Sequence, residues 1–239
     1  MDLEHGYDPR AFEAMPHDEL RQNFVRKVYG TLSLQLAATA LIAAPIAIAS
    51  DAWLASNMHF MSISLIGLLV FCFVGLCGGA SSMFRKHPLN VFVLFGFTVC
   101  ESIILGFTCA MYEVQSMVLC LLVTAVGVAG LTVFAFRTKF DATGFGPYLR
   151  SALLSLFFLG LFGTLFRYPL LQLIYAYGGA LLFAGYLVYD TQLIIGGKHQ
   201  HCRYGVDDYA FAALSVYLDI VRLFLFILRI VGEKRGSRR

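Results

Sequence analysis

Between Val28 and Phe84 the sequence carries a single acid or strong base, Asp51. So long a stretch with so little charge admits few folds. At about 1.5 Å per residue, an apolar helix of about 20 residues crosses a hydrocarbon core of about 30 Å, and each side of Asp51 supplies one such run. Backbone amides in lipid must be satisfied within the protein, which leaves helices or closed barrels. Barrel strands alternate over segments of about ten residues, and these runs do not alternate. The pattern continues through the chain, which has 239 residues, 59% hydrophobic and 14% charged, against about 25% charged in soluble domains. Mean hydropathy is +0.73. The sequence predicts an all-α integral membrane protein.

Seven apolar segments are expected as spans: Val28 to Ser50, His59 to Met83, Leu89 to Met111, Gln115 to Phe136, Ser151 to Phe166, Leu170 to Ile195 and Tyr209 to Val231. Residues 1–27 read as a polar tail, 28–231 as the transmembrane domain and 232–239 as a basic tail. The N-terminus lacks a basic stretch followed by an apolar core, so it is not read as a cleaved signal peptide. Net charge is only +3 and the bases are scattered between runs, which argues against nucleic acid as a partner.

The bases set an orientation. Arg21, Arg26 and Lys27 precede the first span, and Arg85, Lys86, Arg137, Lys139, Lys198 and Arg203 fall in alternate loops. The loops at Asp51 and between spans three and four hold no Lys or Arg. The positive-inside rule therefore predicts a cytosolic N-terminus. Two features oppose it: Arg167 lies in a loop of the other set, and seven spans put Lys234, Arg235, Arg238 and Arg239 on the non-cytosolic side. Seven spans, or six plus a re-entrant last segment, both fit.

The sharpest chemical signal is a pair of acids in the last two apolar segments, Asp190 in Gly185 to Ile195 and Asp219 in Leu214 to Phe224. An ionised carboxylate inside a bilayer costs several kcal/mol unless paired, so such residues are usually functional. Asp190 lies eight residues before Lys198 and Asp219 ten residues after Tyr209, about 12 and 15 Å from the cytosolic end. Consecutive antiparallel helices thus place them at similar depth. If their faces match, the carboxyls share a proton and titrate as one unit. That makes a proton-dependent switch or a weak site for a hard cation such as calcium. In the alternative, each aspartate is tied to its own base, Asp219 to Arg222 at i,i+3 and Asp190 to loop bases.

Glu101 lies near the middle of span three with no partner visible in the sequence; it reads either as a pore or cation-site acid or as a protonated or hydrogen-bonded packing residue. His199, His201 and Cys202 lack a fourth metal ligand and read as a solvated loop. The six cysteines show no disulfide or zinc spacing. Gly75 and Gly79 form a small-xxx-small face suited to close helix packing. Tyr186 and Tyr189 flank Asp190 and are candidates to hydrogen-bond to it, although packing alone explains them.

Three stretches, Phe24-Val25-Arg26-Lys27-Val28-Tyr29, Gly185 through Asp190, and Ser215-Val216-Tyr217-Leu218-Asp219, resemble motifs of the Bax-inhibitor family of membrane proteins. Phe136-Arg137-Thr138-Lys139-Phe140-Asp141 and Glu101-Ser102 resemble its Lifeguard branch, which includes the Golgi anti-apoptotic proteins. The resemblance implies a seven-helix bundle with the last helix central. It implies a calcium leak channel of the endoplasmic reticulum or Golgi that suppresses cell death, with calcium as permeant ion and no resident cofactor. Partners implied are the lipid bilayer, calcium ions and other membrane proteins of cell-death control. Asp190 and Asp219 match the family's pH-sensing pair. Arg85, or its neighbour Lys86, matches the base that latches onto it.

Rival functions fit less well. Intramembrane aspartyl proteases also use two aspartates on consecutive spans, and Tyr189-Asp190 fits the first motif. The second, Gly-x-Gly-Asp, is Val216-Tyr217-Leu218-Asp219 here and has neither glycine, so no enzyme is expected. A seven-helix receptor faces the other way, and a retinal protein needs a lysine within a span, where none occurs. A non-conducting membrane scaffold stays open, because intramembrane acids also serve assembly.

Overall fold

The computed structural model describes residues 17–76, 89–196 and 208–236. Among them, regular structure is helical apart from one isolated bridge between Tyr112 and Lys234. The helices are α1 (His17–Ala47), α2 (Met58–Leu76), α3 (Leu89–Cys109), α4 (Val114–Arg137), α5 (Gly146–Phe166), α6 (Pro169–Ile195) and α7 (Tyr209–Val231). A short helix, Asp51–Ser56, precedes α2, and a 3-10 turn, Ala142–Phe145, precedes α5. Six of the helices are long and apolar enough to cross a bilayer; the apolar part of α2, Met58–Phe73, is shorter. The end of α2 expected at Met83 lies outside the described residues, as does Gly79.

The breaks between helices follow from local chemistry. Pro147 and Pro169 sit in the first turns of α5 and α6, where a missing N–H costs nothing. Arg167, at φ 50°, ends α5 in the left-handed region. Gly196 ends α6 at φ 94° and returns its N–H to the Gln192 carbonyl at 3.0 Å, the usual role of glycine beyond a helix C-terminus. The Ser50 hydroxyl accepts from Trp53 N and caps the short helix. At Asp51, where the sequence suggested only a turn, a helix of six residues forms.

α1 starts earlier than expected. It begins at His17, and Phe24 and Val28 are fully buried on one side of it. Its first turns are polar in composition yet packed in register, because the buried positions recur every four residues.

The surface is turned inside out relative to a soluble protein. Leu41, Val126, Leu181 and many other large apolar side chains are exposed, whereas Gln35, Thr39, Asn90, Thr98, Glu101 and Ser102 are buried. Hydrocarbon costs nothing against leucine, while buried polar groups bind helices to each other. α7 packs against α6, α1, α4 and α3, while α2 lies outside α3 and α5 outside α6. α7 is also the most enclosed span: 61% of its most apolar window is buried, against 44% for α3, the next highest.

α7 is a single unbroken helix, and its C-terminal end meets the loops that join α1 to α2 and α3 to α4. Arg235 pairs with Asp51 at 3.6 Å and donates to the Ala49 carbonyl at 3.2 Å. The Glu113 N–H donates to the Glu233 carbonyl at 2.9 Å, and Gly236 N donates to Glu113 Oε1 at 3.3 Å. Arg235 thus lies against Asp51 and the end of α1, and α7 runs unbroken from Tyr209 to Val231.

Candidate functional site: a buried carboxyl pair

α6 and α7 pack along much of their length, which requires small residues where they approach. A Cβ on Gly179 would run into the Phe226 ring; Phe226 fills that space between Phe183, at 5.7 Å between ring centroids, and Tyr175, at 5.1 Å. This close contact sets the register that brings Asp190 and Asp219 together.

The two carboxyl groups are hydrogen-bonded to each other. They are 7% and 4% exposed, respectively. Leu187, Thr191, Ile194, Val216 and Tyr217, all nearby in sequence, are buried completely or nearly so. A direct bond between two carboxyls needs a proton on one of them. Asp219 Oδ2 has no hydrogen-bond partner among the described residues.

The C-terminal end of α6 is fixed from two sides. Gln192, one turn-half beyond Asp190, uses both ends of its amide: Oε1 accepts from Ala142 N at 2.6 Å and Nε2 donates to the Phe140 carbonyl at 2.8 Å. This pins the α4–α5 connection, whose Asp141 accepts from Thr143 N at 3.0 Å. Tyr189 packs over Gly146, where an added Cβ would lie 2.6 Å from its hydroxyl. From the other side, Arg21 of α1 donates to the Leu193 carbonyl, satisfying one of the orphan carbonyls at a helix end.

Arg222 does not pair with Asp219. Its Nη2 lies 3.3 Å from Glu101 Oε1 on α3. The reason is directional and energetic: Asp219 faces its partner on α6, and Glu101, at 2% exposure, would otherwise be a buried charge without a counter-ion. The alternative in which Asp219 is tied to Arg222 is therefore overturned, and Glu101 gains the partner that the sequence did not reveal. A signal was available. Glu101 lies twelve residues into α3 and Arg222 thirteen into α7, on helices that run in the same direction, so their depths match.

A second polar cluster adjoins Glu101. Thr39 Oγ1 and Tyr217 OH are 2.8 Å apart, Ser102 Oγ donates to Thr39 Oγ1 at 3.2 Å, and Gln35 Nε2 donates to Thr98 Oγ1 at 3.1 Å. Among the described residues no group of three or more His, Cys, Asp or Glu could hold a metal. Cys72, Cys100, Cys109 and Cys120 are free thiols. Arg85, Lys86, His199, His201 and Cys202 lie outside the described residues.

These features define a class: a multi-pass helical membrane protein with a hydrogen-bonded carboxyl pair buried between its last two helices. Within that class, residues 21–236 match the family described as "Inhibitor of apoptosis-promoting Bax1", and the chain belongs to that family. It is 33% identical to Protein LIFEGUARD 3 of Arabidopsis thaliana over 229 residues, covering 93% of this chain and 90% of that protein. It is 34% identical to Protein LIFEGUARD 4 of the same plant, over 89% of this chain and 85% of that one. Protein lifeguard 4 of Mus musculus is 32% identical over 88% and 84%.

Proposed function

We propose that this protein is a proton-controlled calcium leak pathway of an intracellular membrane, the endoplasmic reticulum or Golgi, and that the leak restrains cell death. The fold is read as a seven-helix bundle with α7 at its centre, the N-terminus in the cytosol and no enzymatic activity. Calcium passes as the permeant ion, and no resident cofactor takes part.

The observation that supports this reading is the hydrogen bond between Asp190 and Asp219 in an apolar setting. While the pair holds its proton, the two helices are joined at this depth. When the proton leaves, two adjacent negative charges repel in a medium that screens them poorly. The helices part there, and the same oxygens become the ligands that a hard cation prefers. Two carboxylates alone give a weak site, which suits passage rather than storage. Arg85, at the end of span two, is proposed to latch the pair by reaching in along its aliphatic stem.

The experiment is calcium efflux from liposomes that contain only this protein. Efflux well above that of empty vesicles is expected, with a further rise in Arg85→Ala. Efflux equal to empty vesicles at every pH would end the leak reading and favour a scaffold. A role that shifts to Lys86→Ala would move the latch by one residue.

A further inference from the structure

Glu101 and Arg222 pair with each other rather than with Asp190 or Asp219. Their chemistry is unusual for a structural ion pair. Glu101 is 2% exposed, and only its Oε1 meets Arg222; Oε2 is buried with no partner among the described residues. The Arg222 side chain, by contrast, is 40% exposed at mid-span of α7. A guanidinium does not face hydrocarbon at that depth; such groups turn to a water-filled space or to a partner.

Hydroxyl oxygens lie near Glu101. Thr39, Ser102 and Tyr217 form a hydroxyl cluster beside it, and Tyr217 lies within electrostatic reach of both Glu101 and Arg222. One turn below, Gln35 offers its amide oxygen, buried and also without a partner among the described residues. A carboxylate, an amide oxygen and hydroxyls are the ligand set of a hard divalent cation, not of a soft one. A single carboxylate among neutral oxygens holds such an ion weakly and exchanges it readily.

We propose that Glu101 and the oxygens around it form a second divalent-cation site, which Arg222 occupies at rest as a tethered counter-ion. A calcium ion enters by displacing the guanidinium into the space it already half faces. The site's part in conduction rests on the leak reading above; its capacity to bind does not.

The test is calcium binding to the purified full-length protein in detergent, in the Asp190→Asn/Asp219→Asn background so that the carboxyl pair contributes nothing. Arg222→Gln is expected to tighten binding by about tenfold or more, since the competitor is gone. Arg222→Lys keeps the charge but loses the planar fork, and an intermediate tightening is expected; it carries the test should the glutamine variant fail to fold. Glu101→Gln added to either variant is expected to abolish the gain, and the doubly neutral Glu101→Gln/Arg222→Gln protein leaves no buried charge to unfold it. Binding unaltered by both Arg222 changes, or retained after Glu101→Gln, overturns the site. Efflux in liposomes separates the two readings. Tightened binding without any wild-type efflux sinks the leak and keeps the site, whereas efflux with binding indifferent to Glu101 sinks the site and keeps the leak.

Discussion

Gln192 shows how single residues hold the site in place. Its amide closes two hydrogen bonds to a loop 50 and 52 residues away in sequence. Gln192→Leu leaves the buried Ala142 N–H without its partner, at about 1–3 kcal/mol. A lower melting temperature in detergent is expected, and an unchanged one would mean that water replaces the amide. Residue-scale legibility was uneven. Asp190 and Asp219 could be paired from the sequence because they sit on consecutive helices, where depth follows from counting at a fixed rise. Glu101 and Arg222 belong to α3 and α7, which are far apart in the chain. Their equal depth was countable, but nothing in the sequence said that these two helices touch. Arg222 at i,i+3 from Asp219 drew attention to the wrong acid, because spacing on a helix gives reach and not direction.

Among the elements, the long apolar helices were legible nearly to the residue. Tyr209–Val231 was expected as it stands, and α4 and α6 differ from expectation by about a residue at their ends, the usual precision of helix boundaries. The exceptions lie where polar residues are helical. The first turns of α1, with Arg21 reaching α6, read as a tail because charge masks a narrow buried stripe. α5 begins at Gly146 rather than Ser151 because Pro147 starts a helix as readily as it breaks one. Which faces meet was not legible, and Gly179 is the instance. Gly179→Ala is expected to force the Phe226 ring out of its slot between Phe183 and Tyr175, at about 1–3 kcal/mol for overpacking. Gly127→Ala on α4, where nothing lies within 4 Å of the added Cβ, is expected to be neutral or mildly stabilising. Equal melting temperatures for the two variants would show that the α6–α7 contact is loose.

For the whole molecule, the conflict over charge finds a physical account. Arg235 of the C-terminal tail pairs with Asp51, at the end whose loops hold no Lys or Arg save Arg167. A base paired within the folded protein weighs less against the orientation expected from Arg21, Arg26, Lys27 and the alternate loops. A tag at residue 2 is expected to be digested from the cytosolic side of sealed vesicles. A tag in the Asp51 to Asn57 loop and one after Arg239 are both expected to be protected. A C-terminal tag on the same side as the N-terminal one would contradict the crossing of α7.

The central claim is that Asp190 and Asp219 act as one proton-sensitive unit, and calcium efflux from proteoliposomes between about pH 5 and 8 tests it most directly. Wild-type efflux is expected to rise with pH, because loss of the shared proton opens the pair. Asp190→Asn and Asp219→Asn are each expected to flatten or displace that response, and the double variant to add little beyond the larger single effect, the mark of coupled groups. Asp51→Asn, at a helix end, is expected to leave the response nearly intact. Efflux indifferent to pH in the wild type, or strictly additive effects of the two substitutions, would contradict a shared-proton switch.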